Sequence, residues 1–154
     1  MLNQNGEKKQ MIYPTKIILH CSATPEGVDF GAIDIDKWHK QRGFKKIGYH
    51  YVIRLNGTIE KGREENEMGS HCLNQNLHSI GICYIGGLSK DKKTPKDTRT
   101  EEQKIAIKGL VNSLIRKYRD KEGIELSVHG HNEFARKACP CYNVQEENIL
   151  NNWR

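Results

Sequence analysis

Residues 129–141 read His-Gly-His-Asn-Glu-Phe-Ala-Arg-Lys-Ala-Cys-Pro-Cys. Two histidines, a lysine and two cysteines share one irregular stretch. Imidazole nitrogen and thiolate sulfur are the usual donors to zinc. The cysteines lack the C-x-x-C spacing of a closed structural finger. Two histidines with one cysteine would leave a fourth position open for water, which separates a catalytic zinc from a structural one. The competing interpretation is a loop whose thiols merely pack. A distant histidine, His20, closes the apolar run Ile17-Ile-Leu. Sites in α/β sheets collect at the carboxyl ends of strands. His20 and the 129/131 pair both stand at such ends.

Elements that would position these groups can be read from periodicity. Residues 15–20 form a buried strand. Asp34 caps a short helix carrying Ile35 and Trp38, with Gly43 just past its end. Residues 49–55 read as a strand, Asn56-Gly57 as a hairpin turn, and Thr58-Ile59-Glu60 as the start of the return strand. Two-residue periodicity then sends His50 to the face opposite Tyr49, which makes His50 structural or a supporting residue. Residues 79–85 form another buried strand, stopped by Gly86-Gly87. Thr100 and Gln103 make a capping box. Behind it Ile107, Leu110, Val111, Leu114, Ile115 and Tyr118 recur at helical spacing, to about Arg119. Residues 124–128 form a short strand running into His129, and Asn143 caps a last helix. Alternating strands and helices argue for an α/β domain.

The chain has 154 residues, one domain's worth. Residues 1–13 are polar and read as a loose tail. No apolar run is long enough to span a bilayer, so membrane insertion is not expected. The N-terminus lacks the apolar stretch of a signal peptide, which makes synthesis in the cytoplasm the expectation. Five cysteines, an odd number, argue against a disulfide framework. Cys21, Cys72 and Cys83 read as buried small hydrophobes. A net charge of +6 suits an anionic partner. Direct nucleic-acid binding is not expected, because no recognised motif is present and aromatics are only 7%.

Several short motifs follow in order: Ile-Leu-His20-Cys-Ser-Ala-Thr, Trp38-His-Lys, Gly48-Tyr49-His50-Tyr, Asn56-Gly-Thr, Gly69-Ser-His71, Ser79-Ile-Gly-Ile-Cys, Gly86-Gly87 and Lys137-Ala-Cys139-Pro. Singly they are weak; in this order, over residues 15–142, they are specific. The chain resembles the type 2 N-acetylmuramoyl-L-alanine amidases, the family that includes the peptidoglycan recognition proteins. The wording is closest to the phage lysozymes that are chemically amidases.

The resemblance implies a zinc amidase domain over residues 14–154, with a central mixed β-sheet flanked by helices. It implies hydrolysis of the lactyl–L-alanine amide of peptidoglycan or of soluble muropeptides. The zinc ligands it implies are His20, His131 and Cys139, with His131 chosen over His129 because the family's second histidine lies eight residues before the cysteine. Tyr49 and Lys137 match the catalytic tyrosine and lysine. His71 is a candidate for touching substrate, whereas His39 and His78 are expected to face solvent. Some phage members also bind an intracellular protein, so a regulatory partner belongs among the expectations. Action on the cell wall would follow release at lysis; a recycling enzyme would act in the cytoplasm. The chain departs from the family at Cys141, a spare thiol or rival ligand, and at Gly130-His131-Asn-Glu, which leaves the partner of His131 open.

Overall fold

The computed structural model describes residues 13–154. The polar tail expected over residues 1–13 lies, but for Tyr13, outside the described residues. The strands are β1 (Lys16–Cys21), β2 (Thr24–Pro25), β3 (Tyr51–Ile53), β4 (Ile59–Lys61), β5 (Ser79–Tyr84), β6 (Gly87–Leu88) and β7 (Ser127–Gly130). The helices are α1 (Ala32–Gln41), α2 (Glu101–Glu122) and α3 (Val144–Asn151). The main sheet runs β4-β3-β5-β1-β7. Its β3, β5, β1 and β7 are parallel, and β4 returns antiparallel to β3. The sheet is therefore mixed, as expected. β2 and β6 form a separate parallel pair.

Strand alternation divides the core. Ile17, Leu19 and Cys21 of β1 point with Ile80, Ile82 and Tyr84 of β5 towards α2. There they meet Ile107, Val111, Leu114 and Tyr118. Full burial of each such aliphatic side chain contributes about 1.5–3 kcal/mol. The opposite face is smaller: Val52, Cys83 and Ile85 meet Ile35 of α1 and Ile47. His20 also points to this second face, one residue out of step with Leu19 and Cys21.

Helix α2 starts where the capping box predicts. Thr100 Oγ accepts from Gln103 N at 3.0 Å, and Gln103 Oε1 accepts from Thr100 N at 2.9 Å. Buried Gln103 also donates to the carbonyls of Ile53 (3.2 Å) and Ile85 (2.9 Å), tying α2 to the ends of two strands. The helix runs to Glu122 and ends at Gly123 in the left-handed region.

Three boundaries differ from the sequence reading. Helix α1 begins after Gly31, and Asp34 serves from inside it, accepting from Gly31 N at 2.8 Å. β3 is confined to residues 51–53, because Arg63 N donates to Tyr49 O and Ser70 N to Gly48 O. That segment takes the bonds the strand would have made. β7 lies later than residues 124–128, and its register carries it to Gly130 opposite Leu19.

Candidate metal centre

His20 is the penultimate residue of β1 and is 1% exposed. Because Gly130 pairs with Leu19, the next residue, His131, comes level with His20. Cys139 reaches the same place from the irregular segment beyond. Cys21 N donates to its Sγ at 3.2 Å, and Tyr84 OH donates to Pro140 O at 2.7 Å. The site thus sits at the carboxyl edge of the sheet, where parallel strands present their side chains.

His20 Nδ1 lies 3.1 Å from His131 Nδ1 and 3.8 Å from Cys139 Sγ. The three donor atoms all lie within 4.8 Å of one another. Tetrahedral zinc, with bonds of about 2.0–2.1 Å to nitrogen and about 2.3 Å to sulfur, sets two nitrogens roughly 3.3 Å apart and a nitrogen and sulfur roughly 3.5 Å apart. The spacing fits one ion. Burial, reinforced by His71, His131 and Lys137, holds His20 well below the usual histidine range. Burial and Lys137 also lower His131 from its ordinary value. Both rings therefore keep a free lone pair at neutral pH, as a metal ligand requires.

Cys141 is not in this group. Its Sγ turns to Cys21 Sγ (3.8 Å) and the Gly87 carbonyl (3.4 Å). Nor is His129, whose ring lies between Glu133 (3.0 Å) and Ser127 (2.8 Å). Glu133 also accepts from Gly130 N at 2.7 Å, so the carboxylate beside His131 supports the loop.

An open groove of about 360 Å³ adjoins the donors and is lined by Tyr49, His71, His131, Lys137, Arg42 and Phe44, among others. Tyr49 packs its half-buried ring 5.1 Å from that of His20. Burial raises its phenol well above the usual value. Lys137 is exposed at the groove. The described residues lining the groove carry cations and no carboxylate.

Some expectations fail here. His39 does not face solvent: it is 8% exposed and accepts from Gly48 N at 2.9 Å. It lies four residues after buried Ile35, on one face of α1, and that spacing was the missed signal. His78 is exposed, as expected. His50 is not on the far side of the sheet from Tyr49. Tyr49 precedes β3, so alternation does not govern it, and the His50 ring lies 5.8 Å from that of His71. His50 nevertheless has a supporting part: it accepts from Gly81 N and donates to Glu67 O. His71 lines the groove but is hydrogen-bonded at both ring nitrogens, to His20 (2.8 Å) and Ser79 (3.2 Å). Cys21, Cys72 and Cys83 are buried, as expected.

The mixed sheet thus carries, beside an open groove, a two-histidine, one-cysteine donor set of the kind that leaves a metal one open position. Residues 10–142 match the N-acetylmuramoyl-L-alanine amidase family, and the chain belongs to it. It is 38% identical over 137 residues to the endolysin of Escherichia phage T7, covering 89% of this chain and 87% of that one. It is 35% identical to the endolysin of Enterobacteria phage K11, covering 85% and 83%. Among solved structures, the amidase LysC from Clostridium intestinale superposes with a TM-score of 0.74 at 27% identity, covering 96% and 95%. Drosophila peptidoglycan recognition protein SD, at 20% identity and a TM-score of 0.72 over 96% and 89%, shares the fold. The chain is thus an amidase with a peptidoglycan-related substrate. No described helix is long and apolar enough to cross a membrane.

Proposed function

We propose that this chain is a zinc-dependent, endolysin-type amidase that cleaves the lactyl–L-alanine bond of peptidoglycan, with His20, His131 and Cys139 holding the ion. The observation that carries this reading is the 3.1 and 3.8 Å spacing of three donors beside a groove. Zinc in such a set supplies Lewis acidity towards a carbonyl oxygen and water acidified to a pKa of about 7. The protein's own groups supply the rest. Burial keeps the Tyr49 phenol protonated at neutral pH, so its hydroxyl donates a hydrogen bond and does not act as a base. The Lys137 ammonium faces negative charge growing on the scissile carbonyl oxygen. Lys137 and Arg42, with no lining carboxylate to oppose them, favour a stem peptide bearing carboxylates. Similarity to phage endolysins along most of their length supports a lysin over a recycling enzyme, acting on the wall after release.

Mass spectrometry of purified sacculi incubated with the protein, with and without a chelator, tests the proposal. New L-alanine amino termini appearing only with metal are the expected result. Disaccharide release without new amino termini, or cleavage indifferent to chelation, would overturn it.

A further inference from the structure

We propose that His71 is a positioning residue that sets the ring tautomer of His20, so that the His20 Nδ1 lone pair points at His131 and Cys139. This rests on the metal site proposed above. A chain of hydrogen bonds carries the direction inward from a backbone carbonyl. Gln75 O can only accept, so the Ser79 hydroxyl donates to it at 2.6 Å. That uses the one hydroxyl proton, and Ser79 Oγ then accepts from His71 Nε2 at 3.2 Å. A neutral ring protonated at Nε2 offers a lone pair at Nδ1. His71 Nδ1 lies 2.8 Å from His20 Nε2, so His20 is the donor there. The second lone pair, on His20 Nδ1, is left among the metal donors. Reversing the chain would put a proton on Nδ1, in the way of the ion.

The ring is also held in place mechanically. A Cβ built on Gly81, in the middle of β5, would lie 2.7 Å from His71 Cγ and Cδ2. One built on Gly69 would lie 2.6 Å from Cδ2. A glycine inside a strand marks close approach by another group, and here the group is this imidazole. Asn76 Oδ1 fixes the backbone below it, accepting from His71 N and Cys72 N at 2.8 Å each. Partners of this kind, which orient a metal-binding histidine through its other nitrogen, typically affect metal affinity about 10–100-fold.

Two measurements on the full chain test the inference. The first is the zinc dissociation constant, by chelator competition, for the wild type, His71→Leu, His71→Asn and Ser79→Ala. His71→Leu is expected to weaken zinc about 10–100-fold. His71→Asn, whose amide oxygen accepts where Nδ1 did, should recover most of that loss, and Ser79→Ala should cost less. The second is long-range proton–nitrogen NMR of the zinc-free wild type, expected to find the His20 proton on Nε2. Unchanged affinity in His71→Leu, an equal loss in His71→Asn, or a proton on Nδ1 of His20 would each overturn the inference. If the wild type itself bound no zinc, the metal reading would fall, and the tautomer alone would decide the part played by His71. If His71→Leu did not fold, Ser79→Ala and the wild-type spectrum would decide it.

Discussion

The two sides of the donor site are built differently. His20 stands on a floor: a strand paired in parallel register on both sides, with His71 and then His50 packed edge-on behind it. His131 and Cys139 belong to a rim, residues 131–143, made of turns and held by separate anchors. Tyr84 OH bonds Pro140 O, Cys141 N bonds Ala138 O, and Cys141 Sγ meets Gly87 O. The floor is fixed by sheet geometry, which the hydrophobic core stabilises. The rim is fixed by a few polar contacts, among them the buried Tyr84–Pro140 bond, and by the packing of Cys139, Cys141 and Tyr142 on the edge of the core. Folding and chemistry are therefore coupled on one side of the donor site and separable on the other.

The sharpest way to break that comparison is to remove one ligand from each side. His20→Ala and Cys139→Ala are both expected to abolish zinc binding and amide hydrolysis. Only His20→Ala should also destabilise the zinc-free protein, by about 2–4 kcal/mol, because it opens a cavity and strands a buried acceptor. Cys139→Ala should stay within about 1 kcal/mol of wild type. Denaturant titration of both zinc-free variants checks this, and equal losses would dissolve the distinction. Lys137→Ala, on the rim, should lower kcat about 10²–10³-fold while leaving zinc affinity and stability unchanged. Steady-state kinetics beside a chelator competition measures both.

Acid sensitivity should come mainly from the floor, with a further part from His131 on the rim, which burial also lowers. Burial lowers His71 from the ordinary value of 6.5 to about 3, and lowers His50 as well. The unfolded chain takes up these protons as pH falls through about 6.5, whereas the folded chain resists them. Stability of the zinc-free protein is thus full above about pH 6.5 and drains as pH falls towards 3, by up to about 1.4 kcal/mol per pH unit from His71 alone. Denaturation midpoints measured across pH 4–8 would test the slope, and a flat profile would contradict it. The smallest effect is expected from Cys141→Ser. Its sulfur faces Cys21 and Gly87 and not the donors, so zinc affinity should match wild type by the same competition assay.

Much of the floor was legible in the sequence. The apolar run into His20, the Asn-Gly turn and the Thr100/Gln103 capping box each depend on local chemistry, and each appears where the residues indicate. The donors His20, His131 and Cys139 came from ordered motifs, since nothing local in residues 129–141 chooses between His129 and His131 or between Cys139 and Cys141. Strand register makes the first choice, by bringing Gly130 beside Leu19, and the path of the following turns makes the second, by sending Cys141 towards Cys21 Sγ and Gly87 O. What escaped was long-range. Tyr49 leaves the alternation because residues 48–50 bond to residues 62–70. His39 goes inward because Gly48 N needs an acceptor. Gly81 looked like one more residue in an apolar strand, and only the fold brings a ring from ten residues earlier against it.

The amide of Cys21 that points at the Cys139 sulfur has a further consequence. An N–H aimed at a thiolate draws electron density off the sulfur and softens its donation to a cation. The group responsible is main chain, so replacing the Cys21 side chain leaves it intact. Only proline at that position or a change in the path of the first strand would remove it. The electron richness of this ligand is thus a property of backbone trajectory, and exchanging side chains around it would adjust everything in the site except that.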